Sequence, residues 1–243
     1  MRASEKIAAR LAVAGLAFAL GPCGAFAQER KDPGEIRGLK LGQRAADMSL
    51  DGFGEFSCGG NGGPSRQPIE DWSEYLKCKP EPGGLREVAV RFDDSEEYVG
   101  KALDDPLYTR RRGTRVAGHP VILSVLFDDA GLARGIRFLS DPRGDGPERR
   151  MAHLLRLAVM ERYGPNGWNC VDSPPAEGET PVGGVFVKQK CEKKTDERVL
   201  TVQAQFLRRP GQADIDPVTK VYRPGQFDSW TRVEIMDPKF TPK

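Results

Sequence analysis

Of five cysteines, four stand in two local pairs, Cys58 with Cys78 and Cys170 with Cys191, and the fifth, Cys23, lies in the N-terminal stretch. Residues 1–27 begin with Arg2, Lys6 and Arg10, run apolar from Leu11 to Leu20, break at Gly21-Pro22 and end in Ala25-Phe26-Ala27. These are the parts of a signal peptide, with small residues where the peptidase pocket accepts them, and cleavage is expected before Gln28. An even number of cysteines in an exported chain reads as a disulfide framework. Of the three connectivities that four cysteines allow, the local one is expected. It closes two loops of about 20 residues, each stabilising by on the order of 3 kcal/mol in the chain-entropy model. A four-cysteine zinc site is the rival reading, but no CxxC pair is present and the only histidines are His119 and His153.

Cys23 gives the leader a second reading. Leu20-Gly21-Pro22-Cys23 has the outline of a lipoprotein processing site, although Pro22 is a poor residue before such a cleavage. Soluble export to the periplasm or beyond is therefore the favoured reading, and a lipid anchor on Cys23 the alternative. The apolar run is about half the roughly 20 residues a bilayer span requires, and nothing downstream supplies another, so no integral membrane segment is expected. The chain carries 37 Lys and Arg against 35 Asp and Glu; without Arg2, Lys6, Arg10 and Glu5, the mature protein holds 34 of each. Zero net charge argues against nucleic acid as a partner.

Hydrophobic periodicity predicts an α+β fold, with small antiparallel sheet and one main amphipathic helix, stapled by the disulfides. After a polar tail over 28–35, alternation places Val88, Val90 and Phe92 on one side of a strand that ends at Asp93-Asp94. Val121, Leu123, Val125 and Phe127 form a second strand, and Asp128-Asp129-Ala130-Gly131 turns the chain into a third over Ala133–Leu139. The segment Cys58–Pro64 reads as a loop on its glycine content. The helix is expected over about 147–163, capped by Asp145 and Gly146, with Pro147 in its first turn and Gly164-Pro165 as its stop. Met151, Leu154, Leu155, Ala158 and Val159 form its apolar stripe, with Arg149, Arg150, His153 and Arg156 opposite. Four further strands are expected at Trp168–Val171, Val185–Cys191, Val199–Phe206 and Ser229–Met236. A boundary falls naturally near 140–146, giving modules over 36–140 and 141–243, unless one continuous sheet crosses it.

Motifs for catalysis are absent: the chain has no G-x-S-x-G, H-E-x-x-H, Walker loop or dinucleotide fingerprint, and no cofactor is expected. His119 and His153 have no partner visible in the sequence, and neighbouring arginines lower the pKa of His153. Asp93, Asp94, Glu96 and Glu97, with Asp104 and Asp105 beyond them, form the densest acidic group. Their spacing matches no calcium loop, and they read first as solvated acids at a strand end. Arg110, Arg111, Arg112 and Arg115 make the densest basic run. The aromatic set Trp72, Tyr75, Trp168 and Trp230 offers a candidate binding surface, although two of these lie close to cysteines, where tryptophans usually pack on a bridge.

Two phrases carry a family resemblance. Ile36-Arg37-Gly38-Leu39-Lys40-Leu41-Gly42-Gln43 with Ala45-Ala46-Asp47, and later Leu126–Ile136, resemble the opening turn and the hairpin of the SmpA/OmlA (BamE-like) and β-lactamase-inhibitor-protein-like envelope modules. The resemblance covers about twenty residues and implies a short helical start on a small antiparallel sheet, with a binding rather than a catalytic role. The expectation is a non-enzymatic periplasmic protein that binds a partner protein or envelope component through Arg110, Arg111, Arg112, Arg115, Trp72 and Tyr75. A secreted hydrolase using a carboxylate pair from the 93–97 cluster, or a metal-binding protein using the same acids, is the alternative.

Overall fold

Alternating apolar residues that recur in strand after strand require a sheet with one face sealed, and register supplies it. The computed structural model describes residues 36–61, 63–92, 114–212, 218, 220 and 226–241, with 63–66 as backbone alone. The leader therefore lies outside the described residues. Ten strands occur among them: β1 (Phe53–Gly60), β2 (Gly63–Pro68), β3 (Arg86–Phe92), β4 (Arg115–Val116), β5 (His119–Phe127), β6 (Ala133–Ser140), β7 (Asn169–Asp172), β8 (Val187–Lys194), β9 (Val199–Leu207) and β10 (Asp228–Met236). Their order is β2-β1-β3-β5-β6-β10-β9-β8-β7, with β4 paired to β5, and every pairing is antiparallel. Because β10 returns to pair with β6, one sheet runs through both sides of the 140–146 junction.

Register lines up Cys58, Val88, Val125, Ile136, Ile235 and Leu200 across six strands. All six are at most 8% exposed. The neighbouring row on the opposite face runs Ser57, Ala89, Ser124, Arg137, Glu234 and Thr201, so a single step in the pleat separates an apolar row from a polar one. The apolar face is covered from two directions. The segment beginning at Ile36 pairs with the start of β6: Gly42 donates to the Ala133 carbonyl at 2.7 Å and Ala133 donates to Gln43 at 2.9 Å. The two phrases that resemble the envelope modules thus lie side by side. The second cover is helical.

The helical segment has 17 residues, α1 (Gly146–Met151) and α2 (Leu155–Arg162) joined by a 3-10 turn at Ala152–Leu154. Asp145 caps it, accepting from the Glu148 amide at 2.9 Å while Glu148 accepts from the Asp145 amide at 3.1 Å. The turn departs from the continuous stripe expected from spacing. A 3-10 turn winds three residues per revolution, so it rotates the buried face. Ala152, His153, Leu155 and Val159 face inward, whereas Met151 is 51% exposed. With so little helix, the fold is sheet-rich, and α+β describes it only broadly.

Both disulfides are present with local connectivity, Cys58–Cys78 and Cys170–Cys191. The first joins β1 to the end of a 3-10 turn at Trp72–Lys77, and the second crosses directly between the paired strands β7 and β8. The glycine-rich segment after Cys58 is not a loop. It finishes β1 and, after the turn at Asn61, begins β2. Gly59 is required there by close approach: a Cβ at this position would lie 2.2 Å from Cγ of Glu87.

Candidate functional site

Arg110, Arg111 and Arg112 lie outside the described residues, as do Asp93, Asp94, Glu96, Glu97, Asp104 and Asp105. Arg115 is engaged internally. Its guanidinium donates to the Gly118 carbonyl at 2.7 Å and pairs with Glu148, tying β4 to the first turn of α1. Trp72 belongs to the core: it is 1% exposed, donates to the Ser49 carbonyl at 3.0 Å and meets Phe53 and Phe56 edge-on. Burial leaves its ring no face for a partner. Tyr75 packs against Phe127 with ring centroids 5.4 Å apart and donates its hydroxyl to the Asp129 carbonyl. The described part of the expected contact surface therefore consists of side chains that already have partners within the fold.

The arginine face expected on the helix is also divided. His153 points inward, stacked on Phe206 at 4.2 Å, with Nδ1 donating to the Arg150 carbonyl at 3.0 Å. Burial is the main cause that pushes its pKa down, and Arg156 and Arg150 add to it. Burial likewise lowers the pKa of His119, with Arg115 adding to the effect. Arg156 donates to the His153 carbonyl and is itself lowered by burial. Asp128, expected to end a strand, does so by accepting from the amides of Ala130 and Leu132 and pairing with Arg134. Burial alone would raise its pKa, but these bonds hold it below the usual carboxylate range.

A cleft of about 750 Å³ opens where β10 begins, between the end of β6, the middle of β9 and the chain flanking β10. Leu139, Pro142 and Phe227 give it apolar wall. Trp230 also lines it. That residue is half-buried, and its indole makes no hydrogen bond, ring contact or cation contact with any described residue. By contrast Trp168, partly buried against the core, donates to the Gly164 carbonyl at 2.9 Å and carries Lys193 over its ring. Strand alternation explains why Trp230 faces the cleft, since Thr231 is fully buried and bonded to the Ala152 carbonyl beneath the helix.

Polar groups around the cleft are held in place. Arg209 pairs with Asp228, whose other contact is the Gln212 amide at 2.9 Å. Arg232 donates to both the carbonyl and the side-chain oxygen of Asn61, at 2.8 and 2.7 Å, and to Glu234 at 2.7 Å. Glu234 in turn accepts from Arg137, which also meets Glu81 at 2.6 Å and Glu87 at 3.1 Å. The guanidinium of Arg137 is 6% exposed. Burial works against its charge, yet the bond to Glu81 and the fields of Glu87 and Glu234 raise its pKa. For Glu234, burial pulls upward, but Arg137 and Arg232 hold its pKa below the ordinary value. These residues are far apart in sequence; among those lining the cleft, Trp230 carries a sequence signal as one of four aromatics and Arg149 as part of the basic helix face.

Among the described residues no cluster of three or more His, Cys, Asp or Glu is arranged to hold a metal ion. No helix among them is long and apolar enough to cross a membrane. Comparison with family models, curated proteins and solved structures finds no match for this chain.

Proposed function

We propose that this is an exported, non-catalytic binding protein that takes up an envelope component in the cleft beside Trp230. The observation that carries this reading is an aromatic ring in a cleft with no partner of its own among the described residues, beside Arg209, Asp228 and Arg232, which are fixed by ion pairs and hydrogen bonds. Preorganised polar groups around an exposed aromatic surface are what a binding site needs. The two disulfides support an oxidising, extracytoplasmic setting, and the leader features support delivery to the periplasm. The pairing of the two phrases that resemble envelope modules supports an interaction role.

Hydrolysis by a carboxylate pair is less well supported at this site. Such a pair needs one carboxyl with a raised pKa to act as the acid. Asp228 is engaged by Arg209, and Glu234, the partner of Arg232, is shifted downward.

Affinity capture tests the reading. The oxidised mature chain, residues 28–243, is immobilised and exposed to envelope extract beside a Trp230→Ala control of equal melting temperature. A component retained by the parent and lost by the variant is the expected result. Identical retention by the two proteins would refute a role for this cleft.

A further inference from the structure

We infer that the cleft binds an uncharged saccharide unit of an envelope glycan, with the apolar face of a pyranose ring laid on Trp230. The inference rests on the binding reading above and specifies its ligand. A pyranose has a flat apolar face of C–H groups and an equator of hydroxyls, each of which both donates and accepts hydrogen bonds. The site offers counterparts to both. The Trp230 ring supplies the platform, with an apolar body and an indole N–H donor at its edge.

Gln203 lies across β9–β10 from Arg232 in register, and Gln226 stands just before β10; both line the cleft. Neither amide side chain makes a hydrogen bond with a described residue, so each presents a carbonyl acceptor and two N–H donors. An amide pair of this kind matches hydroxyls and has no charge to repay the desolvation of an ion.

Arg149, Arg209 and Arg232 line the cleft and all three are engaged, Arg209 with Asp228 and Arg232 with Glu234. Such pairs offer guanidinium donors beside carboxylate acceptors at fixed positions, a combination that suits adjacent hydroxyls on one ring. An anionic ligand would have to compete with Asp228 for Arg209, whereas a neutral one adds bonds without breaking the pair. The volume of about 750 Å³ lies within the range of small-molecule pockets and accommodates about two pyranose rings.

Calorimetric titration of the full mature, oxidised protein with chitotriose, maltotriose and trigalacturonate tests the class of ligand. Binding of a neutral trisaccharide with Kd at or below about 1 mM is expected, weakened at least about tenfold in Trp230→Ala and measurably in Gln203→Ala. The NMR signal of the Trp230 indole N–H, assigned by its loss in the variant, is expected to move on titration while those of Trp72 and Trp168 stay. Unchanged melting temperatures exclude a folding defect as the cause. Absence of binding by both neutral sugars, equal affinity in Trp230→Ala, or binding of trigalacturonate alone would overturn the inference. If sugars fail while Trp230-dependent capture from extract succeeds, the ligand class is wrong and the binding role survives. Failure of both removes the cleft from the function.

Discussion

Replacing Arg137 with methionine removes the cation that joins three carboxylates on the polar face of the sheet. The guanidinium reaches Glu81 in the turn before β3, Glu87 on β3 and Glu234 on β10. Ala89 and Ser124, which occupy the same register row, are small. Glu81, 22% exposed, can turn to water when the cation is lost, but Glu87 is only 3% exposed and Glu234 25%. Glu87 is also confined by Gly59 behind it and by its short bond from the Asn61 amide. Removing one partner of a buried ionic cluster costs about 3–5 kcal/mol because the remaining charge is left without compensation.

At about 2–4 °C per kcal/mol for a chain of this size, Arg137→Met is expected to lower Tm by about 6–20 °C. Thermal denaturation followed by circular dichroism, with urea midpoints alongside, measures it. The triple variant Arg137→Met/Glu87→Leu/Glu234→Leu provides the internal control. Exchanging Arg137 and its carboxylates Glu87 and Glu234 for apolar groups, with the more exposed Glu81 left to turn to water, is expected to recover much of the loss, since a paired buried charge contributes little beyond its own desolvation. A single variant that loses less than about 1 kcal/mol would refute the reasoning, because that is the scale of a surface pair. The cluster also sets an acid limit. Glu234 binds its proton less readily folded than unfolded, so its contribution is complete above about pH 4.3, the ordinary glutamate value, and is lost as pH falls through the lower folded value.

His153 and His119 are expected to produce a second, milder acid dependence. Both have lowered pKa values in the folded protein. The unfolded chain therefore binds more protons, and stability present above about pH 6.5 declines as the pH falls below it. Urea midpoints between neutral and mildly acidic pH measure this slope, and His153→Gln is expected to flatten it; an unchanged slope would show that the buried imidazole does not contribute. Cys58→Ser/Cys78→Ser opens a loop with a sequence separation of 20 residues and is expected to lower unfolding stability by about 3 kcal/mol. Urea denaturation of the oxidised parent and the variant compares them, and equal midpoints would contradict the assignment of that bridge as a staple.

Much of the local structure was legible in the sequence because it depends on near neighbours. The period-two runs at 88–92, 121–127 and 133–139 appear as β3, β5 and β6, and the strand expected at 229–236 appears as β10. Asp145 and Gly164 mark the helix ends through bonds that span three residues, and Pro147 through its fixed backbone angle in the first turn. The local pairing of the cysteines follows from loop length. Composition misled where a distant residue determined the outcome: the glycines after Cys58 look like a loop, yet Gly59 is small because Glu87, 28 positions away, lies against it.

The candidate site belongs to the tertiary structure. Trp230, Gln203 and Arg209 converge because β9 and β10 pair antiparallel, and Arg232 is fixed by Asn61, 171 residues earlier in the chain. Trp72 shows the converse: proximity to a cysteine identified it as special, but only packing against Phe53 and Phe56 decided that it is core. Side-chain period and capping are properties of a short segment, and sequence determines them. Which strands become neighbours, and therefore which charges meet and which ring is left open, depends on the sheet order, because register brings together residues that no local pattern connects.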